Sequence, residues 1–134
     1  MFKITPVNDK DEQRKICALC GGEYKEDYFA YVMKELETGN VMGYSQFELG
    51  SGVAYLADLR EAPMRCDFEA MFILGRQTLN FIDLCGIHKV KSEKTCADEK
   101  LLHAIGFREE DGGELSINLE GMFDGKCSGH KVEL

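Results

Sequence analysis

The spacing of apolar and polar positions changes character along the chain, and each change marks an element. Phe2-Lys3-Ile4-Thr5-Pro6-Val7 alternates, as a short strand buried on one face does. Asp9 and Glu12 resemble a capping box, and Ile16, Leu19 and Cys20 keep helical spacing until Gly21-Gly22 stops it. From Tyr28 strand formers dominate. Residues 28–33, 41–49 and 53–59 are joined by Glu37-Thr38-Gly39-Asn40 and Gly50-Ser51-Gly52, which predicts a three-stranded antiparallel meander. After Pro63 the pattern turns helical for about 20 residues, with Phe68, Phe72, Gly75, Leu79 and Ile82 on one stripe. Met71, Leu74, Phe81 and Leu84 widen that stripe, so this helix packs on the sheet. Gly86 closes it, and Ile87-His88-Lys89-Val90 predicts another short strand. Thr95 to Asp98 caps a last helix carrying Ala97, Leu101, Ala104 and Ile105, which Gly106 ends. Leu115, Ile117 and Leu119 then alternate with polar residues, and with residues 107–110 they frame Asp111-Gly112-Gly113 as a hairpin. Residues 1–121 are expected to form one domain, and 122–134 a weakly patterned tail.

Composition narrows the function classes. A chain of 134 residues that is 44% apolar and 30% charged is of ordinary globular make-up. Sixteen basic against 24 acidic side chains leave a net charge of −8, with no Lys/Arg run longer than two, so the basic stripe that a phosphate backbone requires is missing. Nucleic acid is not an expected partner. The apolar runs fall far short of the roughly 20 residues that cross a bilayer, and no apolar leader opens the chain. No membrane association is expected, and the cytoplasm is the expected address. The six cysteines then stay reduced. Cys17 with Cys20, and Cys127 with His130, are formally a tetrahedral zinc set, but they lie at opposite ends of the chain and ordinary helix packing accounts for the first pair. No metal site is expected.

Three segments carry a family resemblance, and they span nearly the whole chain. Residues 31–44 are similar to a central hairpin in which a glycine, here Gly43, follows the turn. Arg65-Cys66-Asp67-Phe68-Glu69-Ala70 falls where an Arg/Gln-x-x-Gly-x-Gly/Ala loop is placed, with Ile73-Leu74 just after it. Leu101-Leu102-His103-Ala104-Ile105-Gly106-Phe107 resembles a closing Leu-Tyr-x-x-x-Gly-Phe segment. With the element order, these resemble the GNAT acyl-CoA N-acyltransferase superfamily. The resemblance implies an α+β, three-layer fold: a mostly antiparallel mixed sheet of about seven strands flanked by helices.

It also implies a function, N-acetyl transfer from acetyl-CoA to a primary amine of unidentified kind. In the family the pyrophosphate sits on backbone N–H groups opening the long helix, where orphan donors and the helix dipole favour an anion. That places cofactor contacts at Arg65, Cys66, Asp67, Phe68, Glu69 and Ala70. Pantetheine lies along the fourth strand at Ala57 and Leu59, where a backbone N–H polarises the thioester carbonyl. Asp58 is the candidate base, with Glu48 and Glu61 as alternatives. Two departures favour a second reading. Phe68 replaces the first loop glycine between the acidic Asp67 and Glu69, and Leu102 replaces the general-acid tyrosine. The second reading is a catalytically degenerate GNAT-fold binding or interaction module, with a homodimer formed through exposed strands or the tail as its expected assembly.

Overall fold

The computed structural model describes residues 1–110 and 112–123. Seven strands form one mixed sheet in the order β1-β2-β3-β4-β5-β7-β6. β1 (Phe2–Pro6), β2 (Phe29–Glu35), β3 (Val41–Leu49) and β4 (Ala54–Glu61) are antiparallel neighbours. β5 (Lys89–Glu93) runs parallel to β4, and β7 (Glu114–Asn118) joins β5 to the two-residue β6 (Arg108–Glu109). The α+β class and the mixed seven-stranded sheet are those that the family resemblance implies. Met122 and Phe123 still pack against the core.

Three α-helices complete the layers: α1 (Lys10–Leu19), α2 (Phe68–Leu84) and α3 (Glu99–Ile105). Side chains alternate across each strand, so the sheet faces two clusters. Val7, Ile16, Cys17, Ala30, Val32 and Tyr44 form the smaller one with α1. The larger joins Tyr31, Met33, Phe47 and Leu59 to Met71, Leu74, Leu79 and Ile82 of α2 and to Leu101, Leu102 and Ile105 of α3. Ser45 and Thr78 share a 2.7 Å hydrogen bond across that second interface. Gly75 lets α2 and α3 meet, since a Cβ there would collide with Cδ1 of Ile105.

The elements depart from the pattern in a few places. α2 starts at Phe68 rather than just after Pro63, because Asp67 caps it. Its buried stripe runs through Met71, Leu74, Gly75, Thr78, Leu79 and Ile82, while Phe68 and Leu84 are exposed. Phe68 is therefore no part of the core. The strand expected at 87–90 runs Lys89–Glu93, and a 3-10 turn at Lys94–Cys96 precedes α3. Cys66 and Cys85 are exposed, whereas Cys17 and Cys96 are buried.

Candidate functional site

β4 is the strand around which the site is built. β5 pairs with it only at Ala54, Leu56 and Tyr55 between them, so from Ala57 onward β4 has no strand on that side. The same stretch carries a bulge: Phe47 of β3 opposes Leu56 and Gln46 opposes Asp58, which leaves Ala57 without a partner in the ladder. One extra residue reverses the facing of everything after it. Asp58 and Arg60 consequently point towards α1, and Leu59 towards α2. Ser92, opposite Leu56 where the strands part, is fully buried and its hydroxyl has no hydrogen-bond partner.

Beneath α1 the side chains of β3 and β4 form a closed polar network. Oδ2 of Asp58 accepts from the Tyr44 hydroxyl and from Gln46 Nε2, each at 3.0 Å, and Oδ1 accepts from Arg60 Nε at 2.9 Å. Gln46 Oε1 accepts from Gln13 Nε2 of α1 at 2.9 Å and from the Lys25 amide at 3.0 Å. Gly22 passes directly over the Tyr44 hydroxyl, where a Cβ would clash. Burial, then the Asp58 charge, pushes the Tyr44 hydroxyl far above the usual phenol range, while the hydrogen bond to Asp58 raises the Arg60 guanidinium further. Both groups keep their ordinary neutral and cationic forms. Gln13, Tyr44, Gln46 and Arg60 escaped sequence reasoning. The available signal was Ser45-Gln46 in the middle of a central strand, since polar side chains survive there only when hydrogen-bonded.

Cys96 sits on the other side of the parting. The 3-10 turn that follows β5 packs on β4, and the Leu59 backbone amide faces the Cys96 sulfur. Burial pushes this thiol up to about 12, with Asp58 adding to the rise and Arg60 opposing it. The thiol is thus neutral at physiological pH. It lies beside the backbone of Leu59, one of the two β4 positions expected to hold a thioester.

The N-terminus of α2 holds the remaining expected residues. Asp67 Oδ1 accepts from the Ala70 amide at 3.0 Å, and Glu61 Oε2 accepts from the Asp67 amide at 2.8 Å. Arg65 turns away to Glu35 of β2, Nη2 to Oε1 at 2.7 Å. Phe68 is 49% exposed, and Cys66 and Glu69 are exposed beside it. Coenzyme A would bring a pyrophosphate to a turn where two carboxylates already accept from backbone amides and a third lies alongside. Two like charges about 4 Å apart repel by about 1 kcal/mol in water and about 4 kcal/mol near a protein surface. As arranged, these residues do not fit a pyrophosphate.

Other expected residues are scattered. Leu102 is fully buried in the core, so the usual general-acid position is a packing position. Glu48 lines a groove of about 370 Å³ with Tyr28, Tyr55 and Lys91 on the face away from α2. Burial and then Glu93 push the Tyr55 hydroxyl up to about 12. Cys17 donates to Gln46 Oε1 at 3.6 Å, and Cys127 and His130 lie outside the described residues. Among the described residues no three His, Cys, Asp or Glu side chains converge as metal ligands, and no helix is long and apolar enough to cross a membrane.

No protein-family model and no curated protein matches the sequence. Solved structures match the fold. An IAA acetyltransferase from Bacillus cereus superposes with a TM-score of 0.70 at 16% identity, over 89% of this chain and 100% of that one. The PaiA N-acetyltransferase from Thermoplasma acidophilum, solved in complex with coenzyme A, gives 0.65 at 12% identity over 88% and 99%. A dodecameric spermidine N-acetyltransferase from Vibrio cholerae gives 0.68 at 15% identity, over 92% and 96%.

Proposed function

From the GNAT acyltransferase fold that these likenesses establish, we propose that the chain works as a binding module that has given up the coenzyme A cradle. The supporting observation is the start of α2, where Asp67 and Glu61 hold backbone donors and Glu69 adds charge. Leu102 in the core and Cys96 beside Leu59 agree with it, because the first leaves the general-acid position without a proton donor and the second packs on the stretch of β4 that acyl transfer needs free. The Asp58 network has a structural role in this reading: it ties α1 to β3 and β4. Calorimetric titration with coenzyme A and acetyl-CoA tests the reading, with no binding expected at millimolar ligand. Glu61→Gln/Asp67→Ser/Glu69→Gln is expected to gain measurable affinity. Micromolar binding by the unchanged protein would overturn it.

A second reading is acetyl transfer from acetyl-CoA to a primary amine, and the parting of β4 from β5 favours it. The Ala57 bulge and the unpartnered Ser92 hydroxyl at the apex add support, because an orphaned buried donor suits a polar ligand. Asp58 would then be the base, with Ala57, Leu59 and residues 65–70 against the cofactor. Thiol release from acetyl-CoA over a panel of amines is the test; turnover that Asp58→Asn abolishes without lowering the unfolding midpoint would establish it.

A further inference from the structure

Four of the exposed large apolar side chains gather at one end of the sheet, beside the start of α2. They are Met1, Leu36, Met64 and Phe68. Hydrogen bonds link the segments that carry them: the Leu36 amide donates to the Met1 carbonyl at 3.2 Å, and Arg65, between Met64 and Phe68 in sequence, is paired with Glu35, next to Leu36. Met64 is fully exposed and has φ of 69°, the left-handed region, alone in this among the described non-glycine residues. An L side chain there is strained, because its Cβ crowds the following carbonyl oxygen. The chain spends that strain on showing an apolar side chain to water, and local strain of this kind gathers at functional positions.

The rim of the patch is acidic. Glu37 adjoins Leu36, and Glu61, Asp67 and Glu69 surround Phe68, against Lys3 on β1 and the Met1 ammonium, which faces Glu35; Arg65 is committed to Glu35 and Lys34 to Glu12. We propose that this surface docks a basic amphipathic segment of a partner protein, with Met64 and Phe68 as apolar anchors and the carboxylates meeting its Lys or Arg side chains. Charge selects that occupant. A second copy would set acidic rim against acidic rim, and an anionic membrane surface would be repelled. The proposal rests on the binding-module reading only in that it uses the face which that reading leaves free of coenzyme A.

The probe is an amphipathic Leu/Lys helical peptide of about 14 residues, titrated into the intact protein, with a Leu/Glu peptide as control. Micromolar binding of the Lys peptide alone is expected, weakening at least tenfold as salt rises from about 50 to 500 mM. Met64→Asn/Phe68→Ser should weaken it at least tenfold with an unchanged unfolding midpoint, Asn being chosen because it tolerates the left-handed region. Leu84→Ser, at the far end of α2, should leave it unchanged. Failure of the Lys peptide to bind, equal binding of the two peptides, or indifference to the double substitution overturns the proposal. So does a concentration-dependent dimer that Phe68→Ser abolishes, or binding to phosphatidylglycerol vesicles. Coenzyme A binding, measured separately, bears on the module reading and leaves these outcomes readable by themselves.

Discussion

The Tyr44 hydroxyl donates to Asp58 at 3.0 Å beneath α1, and Asp58 is buried with both carboxylate oxygens engaged. The pair joins β3 to β4 across the strand that carries the bulge, so it fixes the register in which Ala57 is looped out. Asp58→Ala removes the acceptor of the buried Tyr44 hydroxyl and leaves the Gln46 amide nitrogen with the Glu23 carbonyl alone. A loss of about 2–4 kcal/mol is expected, read as a lower urea midpoint, and a change of no more than about 0.5 kcal/mol, the size of a surface effect, would refute the structural role.

Gly75 is the point of contact between α2 and α3. Gly75→Val gains some helix propensity but drives its side chain into Ile105 and Leu59, and overpacking of this kind costs about 1–3 kcal/mol. Adding Ile105→Val should return part of the loss, because the two changes share one space. Thermal unfolding of the single and double variants measures that coupling; strict additivity would count against the contact.

Acid stability follows from two carboxylates. The Arg65 hydrogen bond holds Glu35 below the usual range, and the Ser116 hydrogen bond does the same for Glu110. A depressed folded value stabilises above the unfolded pKa, about 4.3 for Glu, and the benefit disappears as pH falls through the folded value. Unfolding midpoints are therefore expected to drop below about pH 4.5, and Glu35→Gln should flatten the profile.

Alkylation should sort the thiols by position. Cys66 and Cys85 are exposed and are expected to react first near pH 8, as mapped by mass spectrometry; Cys17 and Cys96 should wait for unfolding. Burial pushes Cys20 up to about 11 and Cys96 up to about 12. Raised thiol values mean that the unfolded chain loses protons first, so stability should decline as pH rises above about 8.5. Early labelling of Cys96 would show that the turn at Lys94–Cys96 opens readily.

The sequence by itself determined the element order and the family resemblance. Alternation at residues 28–59 yielded the meander, and the loop from Arg65 to Ala70 was located because such signals are local: a period of two or 3.6 is written in consecutive residues. Its acidic make-up was legible too. What Phe68 does was not, because its spacing fits the apolar stripe of α2, and only its place as the first residue of the helix, ahead of the buried residues that begin at Ala70, leaves it in water. Asp58 required the tertiary structure for a different reason. Simple alternation turns it towards α2, and the bulge at Ala57, set by pairing with Gln46 and Phe47, turns it towards α1 instead. Strand pairing, helix packing and the approach of Cys96 to Leu59 are contacts between distant parts of the chain, and no local period encodes them.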